Sequence, residues 1–142
     1  MRKSTKLADA MHILAYIHIM QGEKITSQSI ATSLMTHPAF VRQIMSKLKK
    51  AGIISSTQGA AKPEIAKPLD QISLYDIYQI VEPNNRLIPL DAQTNMTCEI
   101  APSIHSHLQD YYNQIQKQAE EEMKTITLDQ LIQQVKQDKK TI

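Results

Sequence analysis

Apolar residues return at intervals of three and four along most of the chain, and the places where that rhythm stops divide it into elements. Leu7, Ala10, Met11, Leu14 and Ile17 lie on one helical face. Ser4 or Thr5 can cap the start and Gly22 lies just past the end, which predicts a first helix over about residues 6–20. Thr26 is placed to cap a second, short helix, "SQSIATSL", with Ile30, Ala31 and Leu34 inward. "MTHP" breaks it, because the residue before a proline is pushed out of the α region while proline itself fits the first helical position. His37 is then the cap of a third helix that begins at Pro38, buries Val41, Ile44, Met45 and Leu48, and stops at Gly52.

Period-two signals follow. "IISS" and "EIAK" read as short strands joined by the loop "TQGAAKP". "LDQISLYDIYQIVE" reads as one more helix, capped by Ser73, with Ile72, Ile77, Ile80 and Val81 apolar. Between Pro83 and Pro102 periodicity fails, and a connection that long is functional or mobile. It returns in Ile104, Leu108, Tyr111, Ile115, Ala119, Glu122 and Ile126. A helix over residues 103–124 would run about 33 Å and outreach a small domain. "TLDQLIQQV" has a capping-box start (Thr127, Gln130) and makes a short terminal helix, after which "KQDKKTI" is expected to fray.

The pattern predicts a mainly α fold with a small β wing: a winged helix-turn-helix over 1–82, a loop or sensor linker over 83–102, and a dimerisation helix with a terminal helix over 103–142. Two helices joined by a tight turn, the second basic, form a helix-turn-helix, and the hairpin after them is the wing. Ile104, Leu108, Tyr111, Ile115 and Ala119 form an apolar stripe that predicts a homodimer.

Charge sharpens this reading. The chain carries 16 Lys and Arg against 14 Asp and Glu, so the total decides nothing. Yet the stretch from Thr36 to Lys67 contains six basic residues and one acidic one, Glu64. The second helix of a helix-turn-helix presents its N-terminal residues to base edges. Here these are His37, Ala39, Phe40, Arg42 and Gln43. Arg42 matches guanine and Gln43 adenine through bidentate hydrogen bonds. Lys47, Lys49 and Lys50 suit phosphates, and Gln58 and Lys62 of the wing suit a groove edge or phosphate. The expected partner is double-stranded DNA, with an imperfect palindrome as the site of a two-fold dimer. The structural alternative is a solvated lysine-rich face on a winged-helix module that binds protein and no specific DNA.

The single cysteine, Cys98, excludes an intrachain disulfide and a cysteine-only metal site. It lies just ahead of the long helix, where the helix N-terminus favours a thiolate, and is the candidate sensor; an incidental loop residue is the plain alternative. His105 and His107 are two apart and cannot share one metal from a regular helix. His12 and His18 fit packing or surface roles, and no metal site is expected. No stretch approaches the ~20 apolar residues of a membrane span, so a soluble cytoplasmic protein with no membrane partner is expected. A glycine-rich phosphate loop, an acid/base pair and a nucleophile motif are all missing, which argues against an enzyme.

These features, in this order, resemble the Rrf2 family of bacterial transcription regulators. The matching stretches are "TKLADAMHILAYI", "SQSIATSLMTHPAFVRQIMSKLKKAGII", "ISLYDIYQIVE", "CEIAPSIHSHLQ" and "TLDQLI", covering residues 5 to about 134. "HPAFVRQIMSKLKKAGII" is the most specific and is most similar to the YwnA-type branch. The resemblance implies a winged-helix homodimer in which the long helix crosses its partner, and a DNA-binding repressor or activator. Two features depart from the family. Members that hold an iron–sulfur cluster use three cysteines in this loop, so with Cys98 alone no cofactor is expected. The family's wing is glycine-rich, whereas this one keeps only Gly59 and carries Pro63, which weakens any carry-over to Gln58.

Overall fold

A computed structural model of the chain describes residues 4–56, 62–84, 86–90 and 95–140. The elements among them are α1 (Lys6–Ile19), α2 (Ser27–Leu34), α3 (Pro38–Lys50), β1 (Ile54–Ser55), β2 (Glu64–Ile65), α4 (Leu74–Val81), α5 (Ala101–Thr125) and α6 (Leu128–Lys140), with a 3-10 turn at Leu69–Gln71 ahead of α4. The mainly α architecture with a small antiparallel β wing is the one the periodicity predicts.

Local chemistry explains the ends of the first three helices. Both candidates at the start of α1 are engaged: Ser4 Oγ accepts from the Lys6 N–H at 3.3 Å, and the Thr5 hydroxyl donates to the Asp9 carboxylate at 2.8 Å. Thr26 and Ser29 form a reciprocal capping box on α2, with both side-chain-to-backbone bonds at 3.0 Å. Met35 ends α2 in the left-handed region, at φ 55°, and its N–H reaches back to the helix carbonyls. His37 is extended and Pro38 opens α3, as its fixed φ allows. Gly52, at φ 77°, turns the chain out of α3. Its N–H donates to the Lys49 carbonyl (3.0 Å) and that of Ile53 to Leu48 (2.9 Å), the Schellman arrangement.

Three elements differ from expectation. The stretch 69–82 is α-helical only from Leu74, directly after the expected cap Ser73, with a 3-10 turn at 69–71 ahead of it. Ser73 caps α4 through a capping box with Asp76, and the chain before it is extended at Ile72. The extended residues are held from a distance: the Leu128 N–H donates to the Ile72 carbonyl and the Leu74 N–H to the Ile126 carbonyl, both at 2.8 Å. The long helix begins at Ala101, with Pro102 in its first turn, and its 25 residues span about 38 Å at ~1.5 Å per residue. The tail expected to fray continues α6 as far as Lys140.

One core unites the chain. Ala10, Ile13, Leu14 and Ile17 of α1 are fully buried at its centre. Around them close Ile30, Val41, Leu48, Ile72, Ile77 and Val81. Each such aliphatic side chain contributes roughly 1.5–3 kcal/mol. Leu128 and Ile132 of α6 are equally buried in that cluster. Thus α6, which the expected division grouped with the dimerisation helix, packs against α1 and belongs to the winged unit. The wing itself is short. Ile54 pairs with Ile65 and Ser55 with Glu64, and the Ala66 N–H donates to the Ile53 carbonyl at 2.8 Å.

Candidate nucleic-acid interface

α3 divides cleanly into two faces. Val41, Ile44 and Leu48 are buried, while Ala39, Arg42, Gln43, Ser46, Lys47, Lys49 and Lys50 are exposed. His37 caps the helix by position only, without a side-chain bond, and is exposed beside them. Phe40 is placed differently from the other expected contacts: it is half-buried and packs against the core. An aromatic ring next to an apolar stripe gains more from burial than from solvent.

Two basic side chains are held by hydroxyls of neighbouring elements. Arg42 donates through Nη1 to Ser27 Oγ at 3.2 Å, so its guanidinium sits against the first residue of α2. Lys49 Nζ donates to Ser56 Oγ at 2.9 Å, linking α3 to the foot of the wing. Lys62 is exposed on the returning arm of the wing, beside a buried Pro63. Gln58 lies outside the described residues. No acidic residue occurs in α3, and among the described residues none of Arg42, Lys47, Lys49, Lys50 and Lys62 pairs with a carboxylate. Lys47, Lys49 and Lys50 also occupy the last turn of α3, where each favours the helix dipole by about 0.3–1 kcal/mol.

The long helix is also two-faced. Its inner side packs Gln116 and Met123 onto the fold. On the outer side Ile104, Tyr111 and Ile115 are 51%, 55% and 47% exposed, with Leu108 and Ala119 half-buried at the margin. Cys98 is exposed three residues before α5, and hydrogen bonds from the N–H groups of Ile100 and then Ala101 hold its thiol below the usual cysteine range. Of the histidines, His12 bonds Ser33 Oγ at 2.8 Å, and burial followed by the nearby Lys136 holds His18 below its usual value against an opposing pull from Asp129. His105 and His107 are half-buried and exposed respectively.

Residues 3–134 match the sequence profile of the Rrf2 family, described as iron-dependent transcriptional regulators. The chain belongs to the Rrf2 family. As a member it is a transcriptional regulator on a DNA-binding winged-helix fold, and not an enzyme. Bacillus subtilis YwnA, named as a candidate helix-turn-helix transcriptional regulator, is 32% identical over 125 residues, 88% of this chain and 92% of YwnA. A crystal structure described as that of a candidate DNA-binding protein is 31% identical and superposes with a TM-score of 0.72, covering 89% of this chain and 98% of its own. CymR, described as the global cysteine regulator of Bacillus subtilis, shares the fold at 21% identity, with a TM-score of 0.65 over 94% of this chain and 97% of CymR. The family description names iron. Cys98 is the chain's one thiol, and among the described residues no group of three or more His, Cys, Asp and Glu is placed to hold a metal ion. No helix among the described residues is long and apolar enough to cross a membrane.

The reading of the sequence missed Gln116. It is 6% exposed, accepts from the Leu87 N–H at 3.0 Å, and donates to the Tyr78 hydroxyl at 3.0 Å. A signal was available in the sequence. Tyr112, Gln116, Ala119 and Met123 recur at intervals of four, three and four, a second stripe beside the apolar one.

Proposed function

We propose that this Rrf2 protein is a homodimeric, sequence-specific DNA-binding repressor without a resident metal or cluster, whose affinity for DNA responds to oxidation of Cys98. The observation that carries the DNA reading is the outer face of α3: cationic and amide side chains, no acidic residue, and no carboxylate partner for its cations among the described residues. Such cations release counterions when they meet phosphates, which supplies affinity. The amide of Gln43 and the guanidinium of Arg42 supply base readout. Residues His37 and Ala39 border the same end, Lys47, Lys49 and Lys50 hold the backbone, and Lys62 extends the contact through the wing.

The outer stripe of α5 supports the dimer. Three large apolar side chains lie exposed in register on one helix, and a second copy of the same helix is the self-complementary cover that two-fold symmetry provides. Two copies of α3 then address an imperfect palindrome. Repression is the assigned output because a bound dimer occludes promoter DNA without a further surface. For Cys98, exposure and a favoured thiolate support reaction with peroxide: sulfur attacks one oxygen, the O–O bond breaks, hydroxide leaves and a sulfenic acid remains. The added oxygen crowds the first turn of α5.

Fluorescence anisotropy on the gene's own upstream DNA tests this reading. Arg42→Ala is expected to cost roughly 1–3 kcal/mol on the specific site and to relax one base position. Lys49→Ala weakens all sequences alike and lowers the salt slope by about one. Peroxide weakens wild-type binding, reductant restores it, and Cys98→Ser is indifferent to both. Specific binding that survives peroxide unchanged makes Cys98 a loop residue only. Absence of any specific DNA binding would make the chain a protein-interaction module.

A further inference from the structure

Beside the N-terminal half of α5 lies a cavity of about 310 Å3, at the lower end of the range for small-molecule sites. Its walls are chemically uneven. Ile88 and Leu90, both half-buried, supply an apolar side from the loop. His105, Gln109, Tyr112 and Asn113 supply a polar side from α5; their spacing of four, seven and eight residues from His105 puts them on one helical face. Arg86 closes the end.

The described lining residues carry one guanidinium and no carboxylate, and among the described residues Arg86 has no acidic partner. Arg86 Nη2 donates to the Asn113 side-chain oxygen at 2.6 Å. That bond fixes the guanidinium at the rim and leaves its other N–H groups in the fork that matches a carboxylate. It also occupies the Asn113 acceptor, so Asn113 offers the cavity its NH2. With Gln109 and the Tyr112 hydroxyl, the polar wall is rich in donors around a fixed positive charge. An anion with a short apolar tail satisfies both walls, whereas inorganic phosphate leaves Ile88 and Leu90 without a partner. The two other large grooves, along α1 and α6, are lined almost entirely by apolar side chains and hold no comparable charge.

The cavity is wired to the winged unit. Leu87, between Arg86 and Ile88, is bonded through its N–H to the buried Gln116, and Gln116 is bonded in turn to Tyr78 of α4, itself 3% exposed. A ligand that draws residues 86–90 onto α5 therefore acts on a polar bridge that joins the loop, the long helix and α4.

We propose that this cavity binds small organic monocarboxylates with a short aliphatic or aromatic tail, and that Gln116 transmits occupancy to the winged unit. The second half rests on the DNA-binding reading; the first does not. The test is calorimetry on the full chain with butyrate, benzoate, acetate and inorganic phosphate at millimolar concentrations, followed by DNA anisotropy with and without butyrate. Butyrate and benzoate are expected to bind more tightly than acetate or phosphate. Arg86→Gln is expected to lose at least about tenfold in affinity, a clear loss on the scale of 1.4 kcal/mol per decade. Tyr112→Phe, which removes one donor and keeps the ring, weakens binding less. Gln116→Leu, which frees the Leu87 N–H but keeps every lining side chain, is expected to weaken carboxylate binding less than Arg86→Gln and to abolish its effect on DNA affinity. No binding by any of the carboxylates, or equal binding by Arg86→Gln, overturns the site. Carboxylate binding that leaves wild-type DNA affinity unchanged overturns the transmission and spares the site. If DNA binding itself is absent, calorimetry still decides the site.

Discussion

The winged unit and the outer half of α5 solve the same problem in opposite ways. In the winged unit, α1 is encircled by α2, α3, α4 and α6, and its Ala10, Ile13, Leu14 and Ile17 are shut off from solvent. In the other region, Met96 is 74% and Ile100 61% exposed, and Ile104, Tyr111 and Ile115 continue that apolar line down α5. One region is complete within a single chain. The other has the composition of a core with half of its neighbours missing. The difference separates residues that specify the fold from residues proposed to specify the assembly.

Paired substitutions break that comparison most sharply. Leu14→Ala, at a fully buried site, is expected to lower unfolding free energy by 2–5 kcal/mol, about the usual range for such truncations. Tyr111→Ala, at a site exposed in the single chain, is expected to change the stability of the monomer by less than about 0.5 kcal/mol. Its effect instead appears as a loss of the concentration dependence of Tm that an associating protein has. Urea unfolding at low and high protein concentration separates the two. Equal losses at both concentrations for Tyr111→Ala would place that ring in the fold rather than in an interface.

Gln116 is the joint between the regions, and its effect is intermediate. Gln116→Leu leaves the Leu87 N–H without its acceptor, at a cost of roughly 1–3 kcal/mol. Hydrogen exchange is expected to speed up at Leu87 and to stay slow in α1. Exchange unchanged at Leu87 would mean that the loop is held by other contacts.

The smallest expected effect is a gain. Met35 is 92% exposed and left-handed, so its side chain contributes little packing while its backbone is disfavoured by about 1–2 kcal/mol. Glycine removes that strain and loses more freedom on folding. Met35→Gly is therefore expected to raise stability by up to about 1 kcal/mol, read as an increase in urea midpoint with an unchanged slope. A lower midpoint would show that the methionine packs in solution.

Legibility in the sequence followed how local each cause was. Thr26, Pro38 and Gly52 act within a few residues of themselves, and the bounds of α2 and the start of α3 were readable to the residue, the end of α3 to within two. The face of α3 was readable because its period is helical and its charges are one-sided. Ser73 marked the start of α4, but the extended course at Ile72 was not readable, because the partners that hold this stretch, Ile126 and Leu128, are more than fifty positions away. The periodicity of α6 was plain, but a period names a buried face and not the surface that buries it. The Arg86 cavity was invisible for a related reason, and Gln116, although its spacing with Tyr112, Ala119 and Met123 marked a second stripe, gave no sign of its partners. A glutamine on a helix and an arginine in a loop are ordinarily solvent-facing, and only the fold of residues 86–90 onto α5 makes them interior or convergent. Phe40 is a mixed case: its position at the start of α3 suggested a DNA contact, and it is half-buried against the core.

The central claim is that the stripe on α5 brings two copies of α3 to one DNA site. Sedimentation velocity of wild type and Ile115→Asp, each alone and with the upstream DNA, tests it most directly. The account predicts that wild type sediments as a dimer and binds as two chains per site. Ile115→Asp, with a carboxylate set into the seam, is expected to sediment as a folded monomer with greatly weakened DNA binding. A folded Ile115→Asp protein that remains dimeric, or a monomer that binds the DNA as tightly as wild type, would contradict it.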